Sequence, residues 1–136
     1  MNDRPNDLIR IRPEIKKTFH FDTMSPDESF QNITIRPILK LQNPLLIIVF
    51  HNYIQKRKGV FYGLNIEKKL NYIDNALVKD QKFRNSVKGM VIGHFTVEEY
   101  KYYCTNSSSI NKRIMNMVIQ RIKDQIQLFE SHDTIF

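Results

Sequence analysis

Four glycines and five prolines in 136 residues are too few to turn the many hairpins of a β-sandwich. Long helices with short connections suit that scarcity. The single cysteine, Cys104, excludes an internal disulfide and fits a reducing cytoplasmic setting. Histidines number four, at 20, 51, 94 and 132, with no HExxH pattern and no cysteine pair beside them. That excludes the usual zinc motifs. His94 and Glu98 have the spacing of helical ligands, but His94 precedes the Thr96 cap and falls off the helix. Scattered glycines cannot build a phosphate-cradling loop. The longest wholly apolar run, Leu45 to Phe50, has six residues, against roughly twenty for a bilayer span. The polar start, MNDRPNDLIRIRP, lacks a secretory apolar core. The sequence therefore predicts a cytoplasmic protein with no membrane partner, no metal and no cofactor.

Apolar residues at 41% and charged residues at 26% are those of a globular chain, and its length suits one domain with a real core. The net charge of +7 is unevenly placed. Residues 1–34 carry −1, residues 35–92 carry +8, and residues 93–136 are neutral. A concentrated positive field favours anionic partners.

The pattern predicts an all-α fold: a compact bundle of about six helices with a long central helix and an extended N-terminal arm. Residues 1–24 form the arm, 25–130 the helical domain and 131–136 a tail expected to fray. Within the arm, Leu8 to Arg12 alternates and reads as a short strand. Ser25-Pro26-Asp27-Glu28 is a capping box opening a short helix. A second helix starts near Pro37, with Ile38, Leu41, Leu45 and Ile48 on one face, and is kinked at Pro44. Lys56-Arg57-Lys58-Gly59 closes it, placing cations and a glycine where the dipole and the turn want them. A third helix carries Ile66, Leu70, Ile73 and Leu77, and a fourth spans about Gln81 to Ile92. Thr96-Val97-Glu98-Glu99 is a second capping box. The last helix follows Asn106 and Ser107 to Ser109 and runs to about Phe129.

Catalytic constellations are thin. Cys104 reads as an inert, packed thiol. The carboxylate pairs Asp27/Glu28 and Glu98/Glu99 fall in first turns, where capping accounts for them. Anion binding is better supported. Lys56, Arg57 and Lys58 adjoin Phe61 and Tyr62, the base-plus-aromatic pairing that single-stranded nucleic acid uses. The alternative is that the bases complement a helix end while the aromatics plug the core. Lys82, Arg84 and Lys88 form a second cluster. Ser107 to Ser109 ahead of Lys112 and Arg113 could hold a phosphate at a helix start. The stretch from Phe83 through Gly93 to Arg113 has a helix-turn-helix outline, interrupted by the short helix at 97–104.

Three stretches carry a resemblance: Phe30 to Lys40, Phe83 to Tyr100, and Asn106 to Asn116. Together they resemble a group of short bacterial helical proteins, some of which go by the name glyoxalase. The resemblance covers residues 25–129 and implies a lyase as the alternative function. Glyoxalases proper use βαβββ units with a His/Glu metal site, or a His-rich hydrolase motif. This chain has neither pattern, so no functional residue carries over. The sequence thus predicts a non-catalytic binding or accessory protein with a basic surface for RNA or a nucleoprotein. A homodimer is also expected, because the central helix is apolar on more faces than a small bundle covers.

Overall fold

Seven α-helices form among residues 3–130, the residues described by the computed structural model, and no strand is found among them. They are α1 (Arg4–Ile11), α2 (Pro26–Phe30), α3 (Arg36–Lys56), α4 (Ile66–Asp74), α5 (Gln81–Ile92), α6 (Val97–Thr105) and α7 (Ser107–Asp124). Tight 3₁₀ turns occupy Phe21–Thr23, Val60–Gly63 and Ile126–Phe129. The tail expected to fray, 131–136, lies outside the described residues.

The principal element is longer than its sequence suggests. Ser25 accepts a hydrogen bond from the Glu28 amide at 3.2 Å, and Pro26 fills the first helical position. From there one helix continues through Lys56. Pro37 does not start a second helix. A π-helical turn at Gln31–Ile35 precedes it, in which the Arg36 amide bonds the Gln31 carbonyl five residues back. The wider turn relieves the clash a proline ring makes with the preceding carbonyl. Pro44 lies inside α3, as expected. By length and composition this is the one described helix able to cross a bilayer, with a mean hydropathy of 1.4. Many of its apolar side chains are buried in the fold, from Phe30 and Ile35 to Phe50 and Ile54. The helix ends as expected at a left-handed turn, although Lys58 (φ 63°) enters that conformation as well as Gly59 (φ 66°).

The arm differs from expectation, since Arg4–Ile11 is helical rather than a strand. Pro5 sits in its first turn with Asp7, and Arg10 in its last, all favourable at those ends. Five alternating residues satisfy a strand template and a helix template alike, and Pro5, Asp7 and Arg10 at the two ends favour the helix.

Two units make up the described chain. The first comprises residues 3–42 and 88–114, and the second 43–87 and 115–130. Helices α3, α5 and α7 contribute residues to both. In the first unit Phe30 stacks on Tyr102 at 5.0 Å and meets Phe95 edge-on at 5.5 Å. Asp27 accepts hydrogen bonds from Tyr102 Oη, Asn106 Nδ2 and Ser109 Oγ, fixing α2 to the start of α7. Glu99 closes the expected Thr96 capping box. Its carboxylate also receives both terminal nitrogens of Arg12, at 2.7 and 2.8 Å, and the Thr34 hydroxyl at 3.0 Å. In the second unit Phe50 is the hub, with Phe61 and Phe129 edge-on at 5.9 and 5.1 Å and Tyr53 parallel at 6.0 Å. Such ring pairs each add about 0.5–1.5 kcal/mol beyond area burial.

Burial pushes the Glu99 carboxyl up, but Arg12, the Thr96 amide and Thr34 outweigh it and hold the group below its ordinary 4.5. A depressed folded value means stability present above pH 4.5 and lost as pH falls through the folded value. Glu99→Gln should therefore lower stability at pH 7 by about 3 kcal/mol, by leaving Arg12 buried without its charge partner. It should also flatten the fall of stability below pH 4.5. Urea titrations at pH 7 and across the acid range check both effects, and an unchanged acid slope refutes the assignment.

Candidate functional site

A groove of about 630 Å³ lies in the second unit, lined by α3 residues 48–56, by Arg57 and by the start of α5. Its cations are Lys56, Arg57 and Lys82, one from each end of the two basic clusters and the arginine between. Ile48, Val49 and Phe83 give it an apolar wall, while Asn52 and Ser86 supply exposed polar groups. No ion pair involving Lys56 or Lys82 is formed among the described residues.

Helical spacing builds the wall. Arg57 follows Tyr53 by four residues, so its guanidinium folds back over the Tyr53 ring, 3.4 Å from the centroid, and donates to the Tyr53 carbonyl at 3.2 Å. Tyr53 in turn lies 4.0 Å from the Phe83 ring. Asp80 holds the stack together. Its Oδ1 caps α5 by accepting from the Phe83 amide at 3.2 Å. Its Oδ2 accepts from Tyr53 Oη at 2.9 Å and from Arg57 Nη2 at 3.0 Å. The Phe83 amide first, and Tyr53 after it, keep the Asp80 carboxyl below its ordinary value. Burial, reinforced by the bond to Asp80, pushes the Tyr53 phenol up to about 12. Tyr53 therefore stays protonated and Asp80 ionised at neutral pH. Arg57 is pinned flat, with 44% of its side chain still exposed.

The other predicted site residues are scattered. Phe61 is fully buried against Phe50, Tyr72 and Phe129, so it cannot stack on a base. It plugs the core because the turn at Val60–Gly63 directs it inward. Tyr62 is half-buried, and its hydroxyl lies 3.4 Å from Nδ1 of His51. His51 is wholly buried and bonds the Leu128 carbonyl through Nε2 at 2.9 Å, which puts the proton on Nε2. Burial holds His51 below its ordinary value despite that carbonyl. Lys58 is exposed at the left-handed turn. Arg84 donates to the Leu77 carbonyl at 3.4 Å. Lys88, Lys112 and Arg113 belong to the first unit.

The helix start at Ser107 to Ser109, where a phosphate is one reading beside simple capping, is already filled. The Asp27 carboxylate sits there, bonded to Asn106 and Ser109, with Arg113 lowering its pKa after Tyr102. An anionic ligand would meet a like charge. Arg113 itself donates to Gln31 Oε1 at 2.9 Å. Cys104, expected to pack inside, is exposed. Among the described residues no three His, Cys, Asp or Glu side chains come together as a metal would require.

The groove uses Tyr53 and Phe83 where sequence reasoning chose Phe61 and Tyr62. The four-residue interval from Tyr53 to Arg57 was the available signal, and Asp80 ahead of α5 was readable as a cap. Phe61→Ala should thus act on stability, costing about 3–5 kcal/mol as a large core truncation does. Urea denaturation measures that loss. A variant that unfolds like wild type would put Phe61 back on the surface. Comparison of the chain with protein-family models, curated proteins and solved structures finds no match, so the function is argued from this geometry.

Proposed function

We propose that this protein is a non-catalytic binding protein of the cytoplasm whose groove engages single-stranded RNA. The observation that carries the reading is the joining of Lys56 and Lys82, without ion-pair partners among the described residues, to a flat Arg57 and an apolar wall. Phosphates are met by the lysines, and apolar base faces by the wall. The segment that supplies the groove is also where the positive charge of the chain is concentrated, +8 over residues 35–92. Neighbouring charges extend the field beyond the groove and steer a polyanion towards it.

Affinity for a single-stranded oligonucleotide should fall steeply with salt, by a log–log slope of about −0.7 for each phosphate neutralised. Replacing Lys56 and Lys82 together by alanine should make the slope shallower by roughly 1.4. Fluorescence anisotropy across a salt series reads both quantities. Absence of saturable binding at low salt, or an unchanged slope in the double variant, would overturn the reading.

Self-association is a second reading, favoured by Leu45, which is 47% exposed on the otherwise core-forming α3. An exposed leucine beside the exposed Pro44 is a small apolar patch for a second copy. Light scattering at tens of micromolar, roughly where a micromolar interface registers, should show a dimer that Leu45→Glu dissolves. A monomer at that concentration removes this reading.

A further inference from the structure

We infer that the groove is built for a single unstacked nucleobase, which stacks on the open face of Arg57, and so recognises a nucleoside phosphate rather than phosphate alone. This rests on the reading of the groove as an anion site. A site for phosphate only would leave its arginine free to turn towards the anion. Here two of the five N–H donors of Arg57 are engaged inside the protein, one on Nη1 by the Tyr53 carbonyl and one on Nη2 by Asp80, and they fix the guanidinium against Tyr53. Asp80 also neutralises its charge at 3.0 Å. What the fixed group offers a flat ligand is its plane. One side of that plane covers Tyr53 at 3.4 Å, and the side chain is still 44% exposed and lines the groove. Guanidinium planes are a recurrent stacking surface for splayed-out bases.

The surroundings fit the same ligand. The groove, at about 630 Å³, is within the range of small-ligand sites, roughly 300–1,000 Å³. Ile48 and Val49 form an apolar side to it, and Asn52 and Ser86 are exposed groups able to hydrogen-bond a base edge. Lys56 and Lys82 stand on the same groove without ion-pair partners among the described residues, placed for the phosphate that a nucleotide brings with its base. The platform is also rigid before binding. Tyr53 is buried, Asp80 is anchored to the α5 amide, and Arg57 is held by both. Little side-chain freedom is lost when a base arrives.

The test uses the full chain with three probes: an oligonucleotide carrying 2-aminopurine, the same strand with abasic sites, and free mononucleotides. Binding should quench 2-aminopurine fluorescence, and the abasic strand should bind roughly tenfold more weakly, the scale of one lost stacking contact. Ser86→Leu narrows the groove with an aliphatic side chain that cannot stack on a base, and lies outside the Arg57–Asp80–Tyr53 network. It should weaken the preference for base-containing strands while the salt slope, which reads Lys56 and Lys82, is unchanged. Arg57→Lys keeps the charge and removes the plane, and should erase the preference; melting temperature checks that the fold survives. Equal affinity of the wild type for base-containing and abasic strands, with neither variant altering it, defeats the stacking site while leaving RNA binding intact. No binding of any strand defeats the RNA reading with it. Mononucleotides that bind as tightly as the strand, with the same response to both variants, support the stacking site and identify its source as free nucleotide.

Discussion

A helix of 31 residues whose middle, Leu45 to Phe50, is wholly apolar obliges the rest of the chain to cover most of that middle. Phe30, Ile35, Ile38 and Leu39 serve the core of the first unit, and Leu46, Phe50, Tyr53 and Ile54 that of the second. Continuity through Pro44, next to the boundary at residues 42 and 43, is what allows one helix to serve both, and continuity through Pro37 adds Phe30 and Ile35 to it. The π turn at Gln31–Ile35 immediately precedes Pro37, and the helix passes through this proline without ending. The cost is a locally weaker turn, and Asn32 and Arg36 reinforce it with a side-chain bond at 2.7 Å across the same stretch.

The two units use one device to fix their ends. In each, a carboxylate that caps a helix is also bound by an arginine. Glu99 caps α6 and takes Arg12; Asp80 caps α5 and takes Arg57. The cap holds the carboxylate to the backbone, so the arginine docks on a fixed target and loses little entropy beyond its own. The settings differ in a way that decides their roles. The Arg12 side chain is 6% exposed and does structural duty, whereas Arg57 is 44% exposed and keeps a face towards a groove. The same chemistry yields a clamp when buried and a platform when open.

Much of this was readable from the residues. The Thr96 capping box, the Ser25 N-cap, the limits of α5 and the Gly59 stop follow from side chains acting on neighbours within one turn; at Ser25 the box stays half-formed, since Glu28 accepts from the Ser25 hydroxyl and not from its amide. The all-α class followed from apolar spacing and from the scarcity of turn residues. What escaped was set at longer range or by competing local rules. Leu8 to Arg12 fits two periods, and only the end residues Pro5, Asp7 and Arg10 favour the helix. Pro37 resembles a helix start unless a π turn is foreseen, and no residue pattern announces one. Whether an aromatic after Gly59 faces water or core depends on Phe50 and Phe129, which approach Phe61 only in the folded chain. Asp27 at the start of α7 is likewise a tertiary event, 79 and 82 residues from its donors.

The groove divides its electrostatics between two kinds of cation. Arg57 is paired with Asp80 at 3.0 Å, so that pair adds almost no net charge to the site. Attraction for a phosphate must come from Lys56 and Lys82, which are long, hydrated and mobile, and which screening by salt weakens. The proposed stacking of a base on Arg57 would draw instead on dispersion and on the exclusion of water from a flat surface, which salt scarcely touches. A site made of lysines alone would capture any polyanion and release it at moderate ionic strength. A site made of the platform alone would hold an uncharged base too weakly to matter. On the proposed reading, the neutralised arginine at the wall and the lysines beside it would separate capture from recognition, with Asp80 the residue that sets the division.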